Sequence, residues 1–239
     1  MDISITGLRP EYERLYASAT IRPSRAADVD AAVRYVLANL ARYRAVEAKT
    51  GVPAHFIGAL HWREGSGNFA THLHNGDRLT GYTHNVPAGR PQIGHGPPFD
   101  WEEGAVDALT MKGLDRWRDW SIGGMLYQAE RYNGFGYRLY HPDVLSPYLW
   151  SGTNHYTSGG YHSDSKWSSA FVDQNPGVVA ILKRLAEQSA VAPRPTYDRY
   201  IVAKGLQTVL SNAGLYTGRI DGDWGRLSRG AYDKFNQGG

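Results

Sequence analysis

Two carboxylates bound most of the stretch HWREGSGNFATHLHNGD, with Glu64 near its start and Asp77 at its end, thirteen residues further on. Ile57 and Leu60 precede Glu64 by seven and four residues, spacings that share one stripe of a helix. A carboxyl group at the end of a core-facing stripe is partly desolvated. Desolvation disfavours its charged form and raises its pKa. An acid kept protonated near neutral pH suits protonation of a leaving glycosidic oxygen. The plainer alternative is a glutamate at a helix C-terminus, exposed to water or paired with Arg63. Asp77 also has two readings. It is the second carboxylate that an inverting glycosidase needs to activate water, or it is a turn residue in HNGD, where Asn-Gly favours a hairpin turn. Glu102 and Glu103 are rival carboxylates, although a capping box with Asp100 accounts for Glu103.

The elements that must position these groups are mostly helices. Val29, Val33, Val36, Leu40 and Tyr43 predict one helix over 28–49, stopped by Gly51. Pro53 opens a second, over 54–63, that delivers Glu64. Residues 65–98 are rich in Gly, Pro, His and Asn and lack helical periodicity, which predicts a small β-hairpin or a functional loop. Further helices are predicted from Asp100, over 119–132, and from Asn175-Pro176 through Leu185. Residues 145–166 are aromatic and glycine-rich. AVAPRPTYD, with two prolines, reads as a linker. Beyond it two short helices, 200–212 and 227–236, flank a glycine-turn segment. The expected organisation is a catalytic domain over 1–190, a linker over 191–198 and a small helical module over 199–239.

Composition narrows the class. A 41% hydrophobic fraction is ample for a packed core. No apolar run approaches the ~18–20 residues that span a bilayer, so stable membrane insertion is not expected. There are no cysteines, hence no disulfides and no thiolate metal sites. A net charge of +3 without a dense Lys/Arg stripe does not favour nucleic acid. It suits an anionic polymer such as a cell wall. Seven Trp and sixteen Tyr offer flat surfaces for sugar stacking, most of them being accounted for as core.

HWREGSGNF resembles the catalytic-glutamate segment of the lysozyme-like superfamily, where a helix ends in Glu followed by Ser and an aromatic residue, here Glu64, Ser66 and Phe69. ERYNGFGYR is similar to the Tyr-Asn-Gly element of its lytic transglycosylase and goose-type branches. That resemblance implies that Tyr132 supports the catalytic glutamate and that Asn133 lines the sugar groove. GDRLTGYT resembles the Asp-to-Thr segment of phage-type lysozymes, in which the pair holds the attacking water; the matching residues are Asp77 and Thr83, with Thr80 as a competitor. The Glu-to-Asp gap is longer here than in those enzymes. SPYLWSGTNHY looks like a segment common in phage endolysins and implies a groove bordered by Tyr148, Trp150 or Tyr156, against core packing for each.

KGLQTVLSNAGLYTGRIDGDWGRLSRGAYDKFNQ resembles the small helical peptidoglycan-binding domain, with Asp221 and Trp224 among the matching positions. Together the resemblances imply a mainly α (α+β) protein: a lysozyme-like helical domain with a small hairpin or loop region, plus a wall-binding module. The implied activity is cleavage of the β-1,4 bond between N-acetylmuramic acid and N-acetylglucosamine in bacterial peptidoglycan. Glu64 is the acid, with Ser66, Tyr132, Asn133 and Tyr148 on the substrate. Hydrolysis and lytic transglycosylation are the two routes. No cofactor or metal is expected, and the chain is expected to be a monomer. MDISITGLRPEYERLY has no basic stretch followed by an apolar one. The expectation is therefore synthesis in a phage host's cytoplasm and holin-type release to the wall. Two rivals stand beside this reading. His72-x-His74 with Asp77 is a zinc-hydrolase alternative, without an HExxH motif. A non-enzymatic wall-binding or virion protein is the other.

Overall fold

A computed structural model describes residues 2–163, 166–191 and 199–237. The protein is mainly helical, and it divides into two compact units, Met1–Ala186 and Glu187–Gly239. The linker predicted over 191–198 lies, from residue 192 onward, outside the described residues.

In the first unit the chain runs α1 (Ile5–Ser18), α2 (Ala26–Ala38), α3 (Leu40–Thr50), α4 (Ala54–Gly65), α5 (Trp101–Met111), α6 (Ile122–Asn133), α7 (Gly136–Tyr140) and α8 (Pro147–Trp150). A strand pair, β1 (Gly160–Ser163) and β2 (Lys166–Ser168), then precedes α9 (Val178–Val191). The helices begin where side chains satisfy their free N–H groups. Ser4 Oγ accepts from Gly7 N at 3.2 Å to start α1, and Ser121 Oγ accepts from Gly124 N at 3.3 Å to start α6. Asp100 and Glu103 form the capping box predicted for α5.

α4 is the centre of the unit. Ala54 and Phe56 through His61 are all buried, with Phe56, Ile57, Ala59 and Leu60 wholly enclosed. Burying each larger apolar side chain stabilises the fold by about 1.5–3 kcal/mol. α2 and α3 pack on α4, α5 packs on α3, and α1 packs on α6. The α1–α6 seam is polar at its middle: the Tyr12 hydroxyl donates to Glu130 Oε2 at 2.5 Å, and Arg138 Nε donates to the same carboxylate at 2.8 Å.

The single helix predicted over 28–49 is two. Asn39 ends α2 by donating its side-chain amide to Tyr35 O at 2.9 Å, and α3 begins at the next residue. A short amide that bonds the preceding turn competes with the backbone ladder, which is why asparagine interrupts a continuous apolar pattern. α1 was not among the predicted helices, and the helix predicted from Asn175-Pro176 starts at Val178. Residues 66–100 form an irregular loop held by an isolated bridge between Thr71 and Arg78. The β structure lies instead at 160–168, where β1 and β2 pair antiparallel with Tyr161 opposite Trp167.

The second unit contains α10 (Arg199–Asn212) and α11 (Arg226–Gln237), close to the predicted helices. Leu210, Tyr216 and Ala231 form its small core, with Leu215 and Trp224 packed against them. Gln207 is fully buried and organises the connecting loop. Its amide nitrogen donates to Asp223 O at 2.9 Å, and its carbonyl accepts from Gly222 N at 2.8 Å. Among the described residues no helix is long and apolar enough to cross a membrane.

Candidate active site

Glu64 sits in the last turn of α4, and the helix stops directly after it. Ser66 has a left-handed backbone (φ 50°), and Gly67 follows at φ 74°. Gly67 is confined as well as left-handed, since a Cβ there would lie 2.4 Å from Tyr35 Cε1. The Tyr35 hydroxyl donates to Gly67 O at 2.5 Å, and Phe69 packs against Tyr35, Tyr43, His61 and Trp101. The break is therefore fixed by packing, which holds the glutamate at a rigid helix end.

Glu64 is partly buried, with Oε1 taken up by a hydrogen bond from Tyr148. Burial pushes its pKa up to about 7, against the smaller downward pull of a Tyr148 hydrogen bond and the Arg63 and Lys112 charges. Tyr148 lies on α8 and donates its hydroxyl to Glu64 Oε1 at 2.7 Å. Tyr132, on α6, donates instead to Leu73 O at 2.8 Å. Burial first, and the Glu64 charge second, hold the Tyr132 phenol well above its usual pKa, so it is an electrostatic neighbour of the carboxyl. The tyrosine bonded to the glutamate is thus Tyr148, not the Tyr132 that the Tyr-Asn-Gly element pointed to.

A cleft of about 340 Å³ opens beside this pair, lined by Arg63, Asn133, Tyr137, Tyr148, Tyr161 and Asp173 among others. Asn133 is the exposed last residue of α6. Arg63 is held in place on three sides. Its guanidinium pairs with Asp173 at 2.8 Å, donates to Asn175 O at 2.7 Å and lies 5.0 Å over the Tyr148 ring. Tyr161 on β1 is part of an aromatic wall with Tyr137, His141 and Trp167, in which the His141 and Trp167 rings stack at 3.4 Å. Sequence reasoning missed Asp173 and Tyr161. Both lie far from Glu64 along the chain, in segments without periodicity.

Asp77 lies in a turn that packs on the end of α4. Gly76 (φ 80°) approaches the Glu64 carbonyl so closely that a Cβ would lie 3.3 Å from its oxygen. The Asp77 carboxylate accepts from Asn75 Nδ2 at 3.0 Å, His84 N at 2.8 Å, Asn85 N at 3.0 Å and Asn85 Nδ2 at 2.8 Å. The Asn85 backbone bond is the largest cause holding its pKa below the usual carboxylate value. Three of these donors fall on Oδ2 and one on Oδ1, so most of the carboxylate's acceptor capacity goes to its own loop. Thr83 is buried. Its hydroxyl donates to Pro87 O at 2.5 Å and accepts from Arg90 N at 2.9 Å. Both residues tie the 66–100 loop to itself. Ser66 is exposed at the mouth of the helix end.

His72 Nε2 lies 2.8 Å from Gly81 O, and His74 Nε2 lies 2.8 Å from Asp107 Oδ2. Among the described residues no three His, Cys, Asp or Glu side chains converge as metal ligands would. Trp150 and Tyr156 are core residues, and the Tyr156 hydroxyl accepts from Asp173 N at 3.1 Å.

In the second unit Asp221 Oδ1 accepts from Asp223 N at 3.0 Å and Gln207 Nε2 at 3.2 Å. Trp224 is half-buried against the core and meets Tyr232 edge-on at 6.0 Å. No family model, curated protein or solved structure compared with the chain matches it.

Proposed function

We propose that this protein is a peptidoglycan-degrading glycosidase of the lysozyme-like type, a phage endolysin that acts as a monomer. It cleaves the β-1,4 bond between N-acetylmuramic acid and N-acetylglucosamine. The observation that carries the reading is the Glu64 carboxyl: partly buried, pushed up to about 7, and bonded to Tyr148, which lines an open cleft. An acid so placed is protonated in a useful fraction at neutral pH and gives its proton to the leaving oxygen. Asn133 and Tyr161 offer an amide and an aromatic edge to the sugar rings. The exposed Leu227, Tyr232 and Phe235 of α11, with Tyr232 edge-on to Trp224, are consistent with a wall-binding role for the second unit.

Two fates of the muramic acid are open to this acid. In hydrolysis, water attacks C1 and a second carboxylate activates it. In transglycosylation, the C1–O4 bond breaks as Glu64 protonates O4. The sugar's own 6-hydroxyl then attacks C1, and the Glu64 carboxylate takes its proton. The four donors already on Asp77 and the two bonds on the Thr83 hydroxyl favour the second route, which requires no further carboxylate. Mass spectrometry of the fragments from purified peptidoglycan separates them. Anhydro ends mean transglycosylation, and reducing ends mean hydrolysis with Asp77 or the solvent in the base's place. Turnover abolished by chelator but retained in Glu64→Gln would overturn both and favour a metal hydrolase.

A further inference from the structure

A second concavity, of about 460 Å³, is lined by Lys112, Arg116, Trp117, Tyr127, Gln128 and Arg131 among others. Three of these side chains are cationic, and no carboxylate is among the lining residues. Arg131 is oriented by Gln128 Oε1 at 2.9 Å and Lys112 O at 2.6 Å, and it is exposed. Arg116 is also exposed, with no carboxylate partner among the described residues. Trp117 and Tyr127 stack at 5.9 Å on one wall and are half-buried. Lys112 lines this concavity, and its charge also reaches the acid. Its Nζ donates to Tyr132 O at 3.2 Å, lies over the Tyr132 ring and depresses the pKa of Glu64.

Cations beside a flat aromatic wall, with no carboxylate in the lining, make a site for an anion carried on a partly apolar chain. We infer that this pocket binds the carboxylates of the peptide stem attached to a muramyl residue near the scissile bond. The inference rests on the glycosidase reading, because that reading places a muramyl chain at Glu64, whose carboxyl the Lys112 charge reaches. A stem leaving the glycan there meets Lys112 first, and its free carboxylates reach the guanidinium groups of Arg116 and Arg131. The backbone of the stem lies on the Trp117–Tyr127 face.

The test compares kcat/KM on three forms of one purified peptidoglycan: with stems, with stems removed by an amidase, and with stem carboxylates converted to amides. The wild type is expected to prefer the acidic stems, and Arg116→Gln is expected to reduce that preference about tenfold, the effect of one charge-assisted hydrogen bond. Arg14→Gln removes an exposed positive charge elsewhere and is expected to leave the preference intact. Equal turnover of all three forms by the wild type overturns the proposal. So does inhibition by a soluble glycerol-phosphate polymer with no response to amidation, which would assign the pocket to phosphate. If the wild type cleaves none of the forms, the glycosidase reading fails. Calorimetric titration of the free stem peptide, and of its amidated form, into wild type and Arg116→Gln still decides the pocket. Binding of the acid form alone, weakened about tenfold by the substitution, supports it, and no binding overturns it.

Discussion

The Tyr148 hydroxyl donates to Glu64 Oε1 at 2.7 Å from a ring that lies buried beneath the Arg63 guanidinium. One tyrosine thereby links the acid to the Arg63–Asp173 pair. It fixes the carboxyl's rotamer and favours its charged form at once, while burial pushes the other way. The balance sets the proton affinity of the site.

Replacing Tyr148 by Phe removes the donor and leaves the burial. The pKa of Glu64 then rises further, and the alkaline limb of the pH–rate profile moves up by about one pH unit or more. At neutral pH kcat falls, because the carboxyl loses its orientation. A profile that does not move would show that the hydroxyl does not act on the acid.

The raised pKa has a stability consequence of defined sign. Between the ordinary value of 4.5 and about 7, folded Glu64 holds a proton that the unfolded chain has released. Stability conferred below pH 4.5 is therefore lost as pH rises through about 7. Glu64→Gln carries no charge and escapes that loss. It is expected to be more stable than wild type at pH 8, by about 1–3 kcal/mol, and equal to it at pH 4. Thermal melts of both proteins at the two pH values measure this.

Asp77→Asn discriminates a loop pin from a general base. Loss of a general base costs about 10²–10⁴ in rate. With the Asp77 carboxylate occupied by Asn75, His84 and Asn85, the substitution is expected to keep kcat within about tenfold and to loosen the loop, each lost hydrogen bond costing about 1 kcal/mol. Kinetics on purified peptidoglycan, with proteolysis of the 66–100 segment as a second readout, test both halves.

Arg138 is paired with Glu130 at 2.8 Å and Glu11 at 3.0 Å, and Glu130 is almost wholly buried. Burial is the main cause pushing the Glu130 pKa up, with Arg138 opposing it. Arg138→Met strands a buried carboxyl in the α1–α6 seam and is expected to cost about 3–5 kcal/mol in denaturant unfolding. Glu130→Gln in the same background should recover part of that loss.

The seat of Glu64 was legible because Ile57, Leu60 and Glu64 fall on one helical stripe and the glycines after it stop the helix. Its partner was not. Tyr148 reaches it from 84 positions away, and no local period records such a contact. The Asn39 break was masked by Val36, Leu40 and Tyr43, which carry the apolar pattern across it. α1 went unread although Leu8, Tyr12 and Leu15 have helical spacing; Pro10 within it is a helix-breaking signal that packing overrides. The aromatic wall at Tyr161 and Trp167 depends on strand pairing after a glycine-rich stretch, where composition alone specifies no register.

The central claim is that Glu64 is the acid that breaks the glycan. Its most direct test is turnover of purified peptidoglycan by Glu64→Gln, once thermal melting shows the variant folded. The predicted result is loss of fragment release by about 10²-fold or more, with wall binding retained. Fragment release at the wild-type rate by a folded Glu64→Gln protein would contradict the account.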